Sequence, residues 1–80
     1  MREHGMVPYL DRRGDSGVCA YQAGPDFILV EFKSGGAYRY DSTKPGRHYV
    51  QAMKRRAAQG DGLATYINQH VRENYAEKLW

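Results

Sequence analysis

The stretch Glu31-Phe32-Lys33-Ser34-Gly35-Gly36-Ala37-Tyr38-Arg39-Tyr40 decides how this chain is read. Aromatic and β-branched residues run into it from Phe27, alternation follows, and Ser34-Gly35-Gly36 separates it from a second extended run. That pattern signals a β-hairpin. With a period of two, Ile28, Val30 and Phe32 share one face of the first strand, while Phe27, Leu29, Glu31 and Lys33 share the other. Loop length then fixes where the tyrosines go. A three-residue loop at Ser34–Gly36, with a glycine in the left-handed region, sets Lys33 opposite Ala37 and Phe32 opposite Tyr38. It also sets Glu31 opposite Arg39 and Val30 opposite Tyr40. A two-residue loop would slip every partner and place Arg39 opposite Val30, an unpaired guanidinium on the core face. The three-residue loop is expected, with both tyrosine rings turned to the core side and Arg39 turned away.

Working outward, Val18–Gln22 reads as a short strand closed by the turn formers Ala23-Gly24-Pro25-Asp26. Lys44–Gln59 reads as a helix behind a capping region at Asp41-Ser42-Thr43, with Pro45 in its first turn. Tyr49, Val50, Met53 and Ala57 fall on one arc of it; Arg47, His48, Gln51, Lys54 and Arg55 fall on the opposite arc, with Arg56 at the border. Gly60-Asp61-Gly62 breaks the helix, Asp61 is the natural cap of the next, and Leu63, Ala64, Ile67 and Val71 form a second apolar stripe. The fold expected is therefore α+β: a three-stranded antiparallel meander (Val18–Gln22, Phe27–Lys33, Ala37–Asp41) followed by two helices packed on one face. Residues 1–17 mix Gly, Pro and paired charges and are expected to be a flexible leader; residues 77–80 are a tail.

Composition narrows the function classes. Eighty residues make one small domain, with 41% hydrophobic and 26% charged residues. The net charge of +3 divides unevenly: 0 over residues 1–17, −1 over 18–43 and +4 over 44–80, so the helical half carries the positive field. A single cysteine, Cys19, forms no internal disulfide, and no window has the length of a membrane span or a signal-peptide core. A cytoplasmic address and no membrane partner are expected.

Two stretches carry a resemblance. Val30-Glu31-Phe32-Lys33-Ser34-Gly35-Gly36-Ala37-Tyr38-Arg39-Tyr40 and Tyr66-Ile67-Asn68-Gln69-His70-Val71-Arg72 together resemble the KTSC family, a short domain found at the C-terminus of some lysyl-tRNA synthetases and as free-standing bacterial proteins. That pattern has a strand ending in Phe, a glycine turn, a Tyr-x-Tyr pair, a helix and an Asn-containing motif. The resemblance makes residues 18–76 the KTSC-like domain. Between Asp41 and Gly62 this chain departs from it, with a longer and more basic helix. RNA binding has been suggested for the family, and the resemblance implies that much.

The candidate chemistry is contact rather than catalysis. Arg47, His48, Lys54, Arg55 and Arg56, with Asn68, His70 and Arg72 bordering them, are the expected RNA-binding set, against the plain alternative of a solvated outer face. Tyr38 and Tyr40 stack bases if their face is left partly open; otherwise they are core residues with wet hydroxyls. Asn68 either reads a base edge or satisfies a neighbouring backbone group. His4, His48, His70 and Cys19 make no metal-ligand spacing, Cys19 reads as a small buried hydrophobe, and no carboxylate pair or phosphate loop stands out. No enzyme activity, metal or cofactor is expected. The partner expected is RNA, as tRNA or a single strand. The alternative is a protein partner or homodimer on an apolar outer sheet face showing Val18, Ala20, Phe27 and Leu29.

Overall fold

A computed structural model of the chain describes residues 6–14 and 16–80. The central hairpin forms where the alternation placed it: Val18–Ala23 (β2), Phe27–Phe32 (β3) and Ala37–Asp41 (β4) run antiparallel in order. Two further strands flank them, Val7–Pro8 (β1) beside β2 and Glu77–Lys78 (β5) beside β4, so among the described residues the sheet has five strands rather than the three expected. The missed strands are two residues each, too short to show a period. Of the leader expected over residues 1–17, residues 1–5 and 15 lie outside the described residues. The Tyr9 N–H donates to the Cys19 carbonyl at 3.0 Å, and the Leu79 N–H donates to the Ala37 carbonyl at 2.7 Å. Short edges, one carrying Pro8, offer little template for another chain.

The hairpin loop has the expected length at a different place. Phe32 N–H donates to the Gly36 carbonyl and Gly35 N–H to the Phe32 carbonyl, each at 3.0 Å, so the three-residue loop is Lys33–Gly35, with Gly35 at φ 104°. The loop lies one residue earlier than Ser34–Gly36. Ile28 therefore faces Tyr40, Val30 faces Tyr38, Leu29 faces Arg39 and Glu31 faces Ala37. The slip is even in register, so every side chain keeps its face. All four expected cross-strand pairings are replaced, the Glu31–Arg39 charge pair among them. Arg39 instead bonds Asp41 two residues on, Nε to Oδ2 at 3.0 Å, and lies over the Phe27 ring at 4.7 Å.

A β-bulge alters β2. Val18 pairs with Phe32 but Ala20 pairs with Glu31, which leaves Cys19 as the extra residue. Val18 consequently enters the core, 1% exposed, instead of sharing the outer face with Ala20, and Cys19 is exposed rather than buried.

Helix α1 spans Arg47–Gln59 and buries Val50, Ala52, Met53 and Ala57. It begins later than Lys44 because Asp41 organises the approach: its Oδ1 accepts from the N–H groups of Thr43 and Lys44, while its carbonyl accepts from Gly46. Gly46 precedes the helix without a side-chain cap. Helix α2 spans Leu63–Tyr66 and continues as a π-helical turn, Ile67–Val71. Its start is not capped by Asp61; Gly62 stands at the cap position, and the Leu63 N–H donates to the Tyr9 hydroxyl at 3.3 Å. Both helices close one sheet face, where Ile28, Val30 and Tyr40 meet Val50, Met53, Leu63, Ile67 and Val71 in a single core.

The segment after β1 straps the α1–α2 corner. Tyr9, 6% exposed, fills the core beneath it. Arg12 gives its backbone N–H to the Gly60 carbonyl at 2.7 Å and its Nε to the Gln59 carbonyl at 2.6 Å, which satisfies acceptors left open at the end of α1. Arg13 pairs with Asp61 at 2.7 Å. Gly60 turns the corner at φ 72°, and a Cβ there would lie 2.4 Å from that of Leu10.

Candidate nucleic-acid interface

The second helix sorts the candidate residues. Leu63, Ile67 and Val71 repeat every four residues and point into the core, all at 3% exposure or less. Asn68 and Arg72 lie on one flank of that stripe; Thr65, Gln69 and His70 lie on the other. Residues adjacent in the motif Tyr66–Arg72 thus serve two different surfaces.

On the first flank, α2 stands clear enough of the sheet to leave a hollow of about 330 Å³. Buried Tyr40 and Ile67 form its deeper part, Phe32, Tyr38 and Tyr75 are half-buried in its walls, and the exposed Ser34, Gly35, Asn68, Arg72 and Glu73 stand at its mouth. Three tyrosines and a phenylalanine pack against one another here. Tyr38 lies 4.6 Å from Tyr75 and 5.8 Å from Phe32 between ring centres, and Tyr40 meets Tyr75 edge to face at 6.4 Å. Tyr75 was not singled out from the sequence, because it lies past the last periodic residue. Burial pushes the Tyr40 hydroxyl pKa well above the ordinary tyrosine value, with the Tyr38 and Tyr75 hydroxyls adding to it, so Tyr40 stays neutral. At 1% exposure it has no open ring face; Tyr38 is the partly open one.

The backbone at the mouth is unusual. Arg72 ends the π-helical turn at φ 36°, ψ −108°, with its N–H bonded to the Ile67 carbonyl. A positive φ in a residue with a Cβ is strained, and such strain clusters at binding sites. The π-turn belongs to the same class of feature.

On the second flank, the Arg56 guanidinium lies over the Tyr66 ring at 4.4 Å and donates through Nη1 to the Ala52 carbonyl at 3.3 Å. The His70 ring lies 4.5 Å from Tyr66 on a tilt of 34°. Tyr66 is therefore enclosed by a cation and an imidazole, and a groove lined by Arg13, Arg56, Gly62, Thr65, Tyr66, Gln69 and His70 runs beside them.

The remaining candidates separate further. Lys54 turns back onto the sheet, where Nζ donates to the Gly24 carbonyl at 2.7 Å and to that of Pro25 at 2.9 Å. It fixes the β2–β3 turn to α1. Arg47, His48 and Arg55 are exposed along α1, His48 edge-on to Tyr49 at 5.5 Å. The expected set of eight does not form one face; it divides among an exposed helix side, a structural tie and the two flanks of α2.

Of the outer face expected to show Val18, Ala20, Phe27 and Leu29, Val18 lies in the core and Ala20 is buried, which leaves Phe27 and Leu29 half-buried there and outside the core cluster. Glu31, Arg39 and Glu77 interrupt it, and Arg39 covers Phe27. Among the described residues no group of three His, Cys, Asp or Glu side chains could hold a metal, and no helix is long and apolar enough to cross a membrane. The chain matches no family model, no curated protein and no solved structure.

Proposed function

We propose that this chain is a small binding module for single-stranded RNA, taking one unstacked base at the aromatic hollow beside Asn68 and Arg72. The observation that carries this reading is convergence. Phe32, Ser34, Gly35, Tyr38 and Tyr40 from the hairpin meet Ile67, Asn68 and Arg72 from the helix around one open pocket. These are the two stretches that resemble the KTSC family, far apart in the chain. A partly open tyrosine supplies a stacking surface, the Asn68 amide supplies a donor and an acceptor for a base edge, and Arg72 supplies a charge for the adjoining phosphate. Arg47 and Arg55 extend the positive surface along α1, with no side-chain partner among the described residues to hold them.

The test is fluorescence anisotropy of labelled single-stranded RNA and tRNA. Three phosphate contacts, through Arg47, Arg55 and Arg72, give a single-strand salt slope near −2, so raising salt from about 50 to 200 mM should weaken binding roughly 20-fold. Asn68→Ala and Arg72→Ala alter exposed side chains and should each lower affinity about fivefold or more. Binding indifferent to salt and to both substitutions would overturn the reading.

A further inference from the structure

We infer that the groove on the opposite flank of α2 is an oxyanion site for a phosphate monoester. Its lining is all donor or neutral: Arg56, Thr65, Gln69 and His70, with Arg13 held beside them by Asp61, and no carboxylate among the described lining residues. The groove measures about 410 Å³ and is open to solvent. Arg56 is set in place before any ligand arrives, lying on the Tyr66 ring at 4.4 Å with one nitrogen bonded to the Ala52 carbonyl. That leaves the other guanidinium donors without a hydrogen-bond or ion-pair partner among the described residues, in a fork suited to two oxygens of one phosphate. Tyr66 also carries His70 on its plane at 4.5 Å, so the imidazole is positioned at the same groove.

The donor set favours a terminal phosphate over a bridging one. Arg13 of the strap is engaged by Asp61, so the donors are Arg56 on α1 and Thr65, Gln69 and His70 on α2. A monoester presents three terminal oxygens and close to two negative charges, and so offers this set more acceptors. A phosphodiester presents two such oxygens and one charge. This site stands beside the RNA reading and does not rest on it. The groove shares no lining residue with the aromatic hollow, and its ligand is either a small phosphorylated metabolite or the 5′-phosphate of an RNA strand.

The experiment is an amide-detected NMR titration of the full chain with inorganic phosphate against chloride at matched ionic strength. Saturable shifts at Thr65, Gln69, His70 and Arg56 are expected, while Asn68, Arg72 and Tyr38 stay still. The exposed pair Thr65→Val/His70→Ala should weaken phosphate about tenfold. Arg56→Gln should abolish binding, but its packing on Tyr66 makes the exposed pair the deciding variant. A nucleoside monophosphate that binds where the nucleoside does not identifies the metabolite source; a 5′-phosphorylated oligonucleotide that exceeds its 5′-hydroxyl twin about tenfold identifies the strand end. Phosphate shifts no larger than those from chloride, or spread along Arg47, His48 and Arg55, would overturn the proposal. Continued binding of the 5′-hydroxyl strand in that case would leave the RNA reading standing.

Discussion

Tyr9 offers the sharpest check on the fold, since it lies in the stretch expected to be a flexible leader. Its ring is 6% exposed within the core, and its hydroxyl accepts the N–H of Leu63 at the start of α2. Tyr9→Phe keeps the ring and removes the acceptor, leaving a buried donor unsatisfied; because the bond is long at 3.3 Å, a cost near the low end of about 1–3 kcal/mol is expected. Tyr9→Ala also removes the ring and should cost about 3–5 kcal/mol. Eighty residues at typical density hold roughly 4–12 kcal/mol in total, so the alanine variant loses about a quarter of the stability or more. Urea unfolding followed by far-ultraviolet circular dichroism measures both variants. Leu10→Ala, at a side chain 61% exposed, is the control and should cost less than about 1 kcal/mol. If Tyr9→Ala shifted stability by under about 1 kcal/mol at unchanged slope, the strap across the α1–α2 corner would not belong to the folded unit.

Three further outcomes follow from the same packing. Lys54→Met keeps the stem and removes two charge-assisted bonds to the Gly24 and Pro25 carbonyls, so urea unfolding should show a loss of about 1–2 kcal/mol, whereas Arg55→Ala stays within about 0.5. Arg72→Gly relieves about 1–3 kcal/mol of backbone strain at a cost of about 0.5–1 in chain entropy, so stability should hold or rise while RNA affinity measured by anisotropy falls. For Asp41, burial works against the charge, but the hydrogen bond from Arg39 and those from the Lys44 and Thr43 N–H groups hold its carboxyl below the usual value. A depressed folded pKa stabilises fully above the unfolded value of about 4 and is lost as pH falls through the folded one, so Asp41→Asn should flatten the acid limb of stability against pH while costing stability at neutral pH.

The faces of the central strands were legible because side-chain period is a local property. Ile28, Val30, Tyr38 and Tyr40 had to share a side once the loop was odd in length, and sliding that loop by one residue changed partners without changing faces. The bulge at Cys19 was not legible, since Val18–Gln22 alternates no more clearly with an extra residue than without one. Nor were β1 and β5, whose two-residue pairings depend on β2 and β4 already being in place. Helix starts failed for a related reason. Asp41 and Asp61 are typical capping residues, yet each had a stronger partner at hand: Asp41 took Arg39 and its own turn, and Asp61 took Arg13. Capping propensity is a local preference that tertiary partners override.

Charge was the least transferable signal, and α2 shows why. The sum of +4 over residues 44–80 treats each cation as part of one field. In the fold, Lys54 holds carbonyls of the sheet turn and Arg56 lies on Tyr66, so neither is spread over an open helix face. Asn68 and His70 are two residues apart in sequence, which on a helix means roughly opposite sides, and the core stripe Leu63–Ile67–Val71 between them keeps their surfaces separate. A short helix pressed into a sheet has two flanks, and each can be closed only by what lies next to it. One flank meets the tyrosines of the hairpin and becomes an aromatic hollow; the other meets α1 and the strap and becomes a donor-lined groove. The same short helix therefore borders an aromatic hollow on one flank and a donor-lined groove on the other, and substitutions confined to one flank should leave the other flank intact.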